Sequence, residues 1–141
     1  MARQRILVLC TGNSARSQIA EAWFRYLGGE FIEVASAGTN PVGLHPLVST
    51  VMSEVGVATL GQRSKHLRQF IDQPFDVVIT VCDRAAESCP VFPGAESSLH
   101  WPFDDPAAAD HDVQLAQFRQ VRDQIGNQVR GWLKSYQQQV G

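Results

Sequence analysis

The 141 residues carry 12 Lys and Arg against 14 Asp and Glu, a formal net charge of −2, and 44% of them are hydrophobic. With no basic stripe and no block of like charges, the chain is unsuited to nucleic acid or an anionic membrane, and its length fits one globular domain over residues 1–141. Arg3 and Arg5 precede an apolar run of only five residues, Ile6 to Cys10, so neither a signal peptide nor a membrane span is expected. Three cysteines cannot make a closed disulfide framework, and they read as reactive thiols of a cytoplasmic protein.

Ile6-Leu7-Val8-Leu9 is an unbroken apolar run, as in a parallel strand covered on both faces, and it ends on Cys10. Gly12 and Asn13, both tolerant of positive φ, turn the chain into a helix that begins near Ser17 and stops at Gly28-Gly29. Phe31 to Ala37 reads as a second strand closed by Gly38, followed by a loop over Thr39 to Gly43. Pro46 suits the first turn of a helix with Leu47, Val48, Val51, Met52 and Val55 on one face and Gly56 at its end. A polar stretch from Gly61 to His66 and a short helix over Leu67 to Ile71 come next.

Phe75 to Val81 is the third strand, and it too ends on a cysteine, Cys82. Asp83 to Cys89 suits a short helix broken before Pro90 and Pro93. Ser97 to Trp101 is a fourth strand that runs into Pro102-Phe103-Asp104-Asp105-Pro106. From Val113 on, Leu115, Phe118, Val121, Ile125, Val129, Trp132 and Leu133 recur at helical steps, predicting one long amphipathic helix.

Strands separated by helices imply an α/β three-layer sandwich, a four-stranded parallel sheet flanked by helices. Ligands of such sheets sit at the carboxyl ends of the strands. Cys10, Cys82 and the Asp104-Asp105 pair each follow a predicted strand, so they are expected on one edge.

The turn from Cys10 into the first helix carries the chemistry. A loop at a helix start offers unpaired N–H groups and the positive end of the helix dipole, which together cradle an anion. Thr11, Gly12, Asn13, Ser14, Ala15, Arg16 and Ser17 are the expected oxyanion-binding residues. Arg16 can clamp two oxygens, Ser17 can donate to the sulfur, and the Asn13 amide can hold the loop's shape. A helix N-terminus and a guanidinium favour the thiolate of Cys10, a nucleophile placed beneath a tetrahedral anion. No Gly-Lys-Ser/Thr follows, so this is not a nucleotide P-loop. A buried structural cysteine with a surface arginine is the plain alternative.

Val8-Leu9-Cys10-Thr11-Gly12-Asn13-Ser14-Ala15-Arg16-Ser17-Gln18 resembles the phosphate-binding loop of the low-molecular-weight tyrosine phosphatase superfamily. Within it, the chain is most similar to the arsenate reductases coupled to thioredoxin. The resemblance extends to Ser36-Ala37-Gly38-Thr39, to Cys82 and Cys89, to Asp105-Pro106 and to the closing helix. It implies that Asp105 is the general acid, with Asp104 in reserve, and that Cys82 and Cys89 are a redox pair. The implied reaction is reduction of arsenate to arsenite by a triple-cysteine relay, with phosphate or sulfate as substrate analogues and thioredoxin as reductant. An internal resolving cysteine, Cys89, favours thioredoxin over a glutathione–glutaredoxin donor.

If Cys82 and Cys89 flank a helix, their Cα atoms lie about 10 Å apart, beyond the roughly 7 Å a disulfide spans. The segment between them is therefore expected to be ordered when reduced and looped out when oxidised. Relatives of this kind that bind potassium would do so through positions matching Asn13, Glu21, Ser36 and an acidic residue near 65. Here position 65 is Lys65, whose ammonium can replace the cation opposite Glu21, or can simply be solvated. No metal and no cofactor are expected, since His45, His66, His100 and His111 stand singly, and the chain is expected to act as a monomer. Two alternatives remain: a low-molecular-weight tyrosine phosphatase whose Cys82 and Cys89 protect Cys10, and a non-catalytic oxyanion or redox sensor. Ala107-Ala108-Ala109 after Pro106 supplies no aromatic wall for a phosphotyrosine ring.

Overall fold

Ile6, Leu7, Val8 and Leu9 have no exposed surface in β1 (Gln4–Cys10), the central strand that their unbroken apolar run predicts. The computed structural model describes residues 3–82, 92 and 95–140, with side chains as far as Tyr136. Strands β2 (Ile32–Gly38), β3 (Val77–Thr80) and β4 (Ser97–His100) join β1 in the order β2-β1-β3-β4, and every pairing is parallel. The register places Cys10 opposite Gly38 and Leu9 opposite Thr80. The strand ends thus form one edge, as the alternating pattern required.

Helices α1 (Arg16–Gly28), α2 (Pro46–Glu54) and α3 (His111–Val140) cover one face of the sheet. Their Ile19, Phe24, Val48, Val51, Phe118, Ile125 and Val129 enclose Ile6, Val8, Ile79 and Val81 in one buried cluster. On the other face Leu7, Leu9 and Val78 pack with Phe75 and Phe92, and with Leu67 and Phe70 of a 3-10 turn (Leu67–Phe70). The sheet is therefore a layer between two apolar clusters. Phe118 is fully buried, and truncating such a ring to alanine costs about 3–5 kcal/mol.

Polar groups fasten the helices to one another. Trp23 Nε1 of α1 donates to the Arg122 carbonyl of α3 at 2.9 Å. The Arg122 guanidinium donates in turn to the Val51 carbonyl at 3.0 Å and to Glu54 at 2.8 Å, both on α2.

The element ends differ from the sequence reading in small ways. α1 begins at Arg16, one residue before Ser17, and α3 at His111 rather than Val113. The first expected strand residue after Pro74, Phe75, packs as core, but pairing starts only at Val77. The short helix expected over Asp83–Cys89 lies outside the described residues. No described helix is long and apolar enough to cross a membrane.

Candidate active site

Cys10 ends β1 with 2% of its surface exposed, and it is a free thiol. The next five residues form a loop whose carbonyls are all held from outside. Asn40 N–H donates to Thr11 O at 2.9 Å, Val42 N–H to Gly12 O at 3.1 Å, and His45 N–H to Ser14 O at 3.1 Å. Ser64 Oγ also donates to Gly12 O, Gln18 Nε2 donates to Asn13 O, and Ile19 N–H takes Ala15 O as the first turn of α1. A planar trans peptide unit points its N–H opposite its C=O. The N–H groups from Gly12 to Arg16 therefore point away from these partners, to the inner side of the loop that follows Cys10. Ala15 caps α1 without a side-chain hydrogen bond and no acid occupies the helix's first turn, so no carboxylate of that turn offsets its positive end.

Asn13, fully buried, is the loop residue with positive φ, 45°. An asparagine tolerates that conformation when its amide is bonded locally. Asn13 Oδ1 accepts from Lys65 N–H at 2.8 Å and from Gln18 Nε2 at 3.1 Å, while Nδ2 donates to Ser17 Oγ at 2.8 Å and Ser36 Oγ at 2.9 Å. Ser17 Oγ lies 2.8 Å from Cys10 Sγ. Because that hydroxyl already accepts from Asn13, its own proton is available to the sulfur. Gly38 is required beneath the loop: a Cβ there would overlap the Thr11 carbonyl oxygen and lie 2.7 Å from the Cys10 carbonyl oxygen.

Arg16 is buried, its Nη1 donating to Phe103 O at 3.2 Å and its Nη2 lying 3.9 Å from Asp105 Oδ2. Asp105 is half exposed and also caps the turn Pro106–Ala108, accepting from Ala107 N–H at 3.0 Å. One carboxylate thus both caps the turn and stands beside the loop. Asp104 is exposed, and Asp105 is the carboxylate that approaches Arg16. Cys82 is fully buried and disulfide-bonded. Val81 N–H donates to Leu9 O at 3.0 Å, and Cys10 and Cys82 share one apolar cluster, so the ends of β1 and β3 run side by side. Cys89 and the expected unwinding of its segment lie outside the described residues.

Glu21, 3% exposed, accepts from Ser36 Oγ at 2.7 Å and from Arg25 Nη2 at 2.6 Å, with Lys65 Nζ 3.6 Å away. The ammonium thus stands opposite Glu21, the first of the two readings open for Lys65. Burial lowers the Lys65 pKa and the Glu21 charge opposes that shift. Sequence reasoning passed over Gln18, Gln62 and Ser64, which tie the segment before Leu67 to the loop. The available signal was a glutamine and a glutamate on the inward face of α1, where apolar residues are the norm.

An arsenate reductase of Halalkalibacterium halodurans is 42% identical over 133 residues, covering 92% of this chain and 95% of that protein. A solved structure of an arsenate reductase in the phosphate binding state superposes with a TM-score of 0.78 at 31% identity, covering 94% of this chain and 98% of that one. The Corynebacterium glutamicum thioredoxin-dependent arsenate reductase Cg_ArsC1' gives a TM-score of 0.77 at 30% identity, covering 98% of this chain and 64% of that one. The sequence signature described as low molecular weight phosphotyrosine protein phosphatase matches residues 5–141, and with a cysteine at the floor of an inward-facing loop of N–H groups, the chain belongs to that family.

Proposed function

We propose that this chain is an arsenate reductase that works through three cysteines, with thioredoxin as electron donor. The observation that carries the reading is the free Cys10, 2.8 Å from Ser17 Oγ at the floor of the loop, in the same buried cluster as a second cysteine, Cys82. A hydrolase needs the first cysteine alone. Relatives named arsenate reductase at about 40% identity support the same reaction.

Arsenate enters the ring of inward N–H groups as phosphate would, its charge balanced by the helix end and by Arg16. The Cys10 thiolate attacks arsenic, and an arsenate oxygen leaves as water with a proton from Asp105. Cys82 then attacks the Cys10 sulfur. The sulfur–arsenic bond breaks, its electron pair stays on arsenic, and arsenite leaves as a Cys10–Cys82 disulfide forms. Attack by Cys89 on Cys82 frees Cys10, and the external dithiol of thioredoxin reduces the resulting Cys82–Cys89 bond.

The relay depends on a reducing dithiol system, which suits the cytoplasm. One domain over residues 1–141 holds every group named, and a monomer suffices. Cys10, Arg16 and Asp105 also suit slow hydrolysis of aryl phosphates, whereas Ala107 to Ala109 give a phosphotyrosine ring no aromatic wall.

The test is NADPH consumption with arsenate, thioredoxin and thioredoxin reductase. Turnover lost in Cys10→Ser, Cys82→Ser and Cys89→Ser alike is the expected result. Absence of arsenate-dependent turnover, with aryl phosphate hydrolysis that survives Cys82→Ser and Cys89→Ser, would make the chain a phosphatase.

A further inference from the structure

The hydrogen bonds that leave Asn13 in two directions meet again on the surface. One branch runs from Asn13 Nδ2 to Ser36 Oγ and on to Glu21 Oε1. The other runs through Gln18, whose Nε2 donates to Asn13 Oδ1 and to Arg63 O, and whose Oε1 accepts from Gln62 Nε2 at 2.9 Å. Arg25 joins them, its Nη1 donating to Gln62 Oε1 at 2.8 Å and its Nη2 to Glu21 Oε2 at 2.6 Å. Asn13, Ser36, Glu21, Arg25, Gln62 and Gln18 therefore form a closed ring.

Each amide in the ring has one orientation available. Lys65 N–H can only donate, so the Asn13 atom facing it is the oxygen. Arg63 O can only accept, so Gln18 turns its nitrogen there and its oxygen toward Gln62. Gln62 Nε2 also meets the Gln18 carbonyl at 3.1 Å, and the Arg25 guanidinium, a pure donor, fixes the Gln62 oxygen. The direction of every bond in the ring follows, and Asn13 Nδ2 also donates to Ser17 Oγ, whose own proton is available to Cys10.

We infer that Gln62, half-buried and outside the anion loop, is a positioning residue for the Cys10 thiolate, and that it acts by closing this ring with Arg25. Its side chain holds residues 62–65 against α1, and that segment carries the Lys65 N–H that sets Asn13. The inference deepens the proposed reaction and takes its chemistry from Cys10 alone, so its test does not depend on arsenate reduction.

The experiment measures the pH dependence of Cys10 alkylation by iodoacetamide in a Cys82→Ser, Cys89→Ser background, together with thermal unfolding. Gln62→Glu has nearly the same shape and still accepts from Arg25, but it sets a carboxylate against Gln18 Oε1. Alkylation at neutral pH is expected to fall about three- to tenfold, with its pH midpoint moved upward and the melting temperature little changed. Combined with Ser36→Ala, the losses should be less than additive, because both cut one ring. Arg25→Gln serves as a second opening of the ring should Gln62→Glu fold poorly. An unchanged pH midpoint in the folded variants, or strict additivity with Ser36→Ala, overturns the inference. Failure of arsenate turnover with the alkylation effect intact would count against the proposed reaction and leave the ring standing.

Discussion

Lys65 Nζ stands 3.6 Å from Glu21 Oε1, the oxygen that also accepts the Ser36 hydroxyl. A protein cation thus faces the carboxylate at the back of the loop. Turnover is expected to be the same in potassium, in sodium and in a bulky organic cation. Lys65→Met removes the charge from a pair whose side chains are 11% and 4% exposed. Discounted for the partial exposure of the lysine and for the remaining Arg25 partner, the loss is about 1–3 kcal/mol, read by urea denaturation. A potassium dependence in the native chain would refute this reading of Lys65.

The same lysine makes stability depend on pH in a defined direction. Burial disfavours its ammonium, and the pKa lies below the ordinary 10.5 despite the Glu21 charge. Between the lowered value and 10.5 the unfolded chain binds more protons than the folded one, so stability from this group rises with pH across that interval. The native chain's advantage over Lys65→Met should therefore grow as pH increases there. An advantage that shrinks over the same interval contradicts the sign.

Ser17→Ala deletes the hydroxyl 2.8 Å from Cys10 Sγ and leaves Asn13 Nδ2 without one of its acceptors. A hydrogen bond to a charged group contributes about 1.5–3 kcal/mol, so alkylation and arsenate turnover should both fall roughly tenfold or more. Loss of turnover without loss of alkylation would instead assign Ser17 to the substrate.

Gly38→Ala tests the support of the loop rather than its chemistry. The added Cβ meets the Thr11 and Cys10 carbonyl oxygens, backbone atoms that cannot swing aside. Phosphate affinity by calorimetry should drop sharply, and stability should fall by about 1–3 kcal/mol, the usual cost of overpacking. Phosphate binding equal to that of the native chain would mean that the loop tolerates the shift.

Much of this arrangement is legible along the chain. The apolar run before Cys10 and the three- and four-residue steps after Val113 announce β1 and α3, because buried strands and amphipathic helices impose those patterns. The convergence of Cys10, Cys82 and Asp105 follows from strand ends alone. The stretch from Gly61 to His66 is not legible in that way. It has no period, and its role consists of bonds to Gly12, Asn13 and Gln18, residues 44 to 52 positions earlier. Arg122 is equally silent in sequence: a cation within a helical pattern reads as solvated, yet it is buried between Val51 O and Glu54.

Asp105 has two tasks that one substitution can separate. Its Oδ1 caps the turn at Ala107 N–H, and its Oδ2 lies 3.9 Å from Arg16 Nη2 at the mouth of the loop. Asparagine can still accept from Ala107 but has no carboxyl proton to give. Asp105→Asn should keep the melting temperature and phosphate affinity while lowering kcat for arsenate about 10²–10⁴-fold, the usual contribution of a general acid. Asp105→Ala should lose the cap as well, and with it about 1 kcal/mol of stability. Asp104→Asn, on the neighbouring exposed carboxylate, should change neither quantity. If Asp105→Asn turns over as the native chain does while Asp104→Asn fails, the proton comes from Asp104, and the Arg16–Asp105 approach serves only to place the turn.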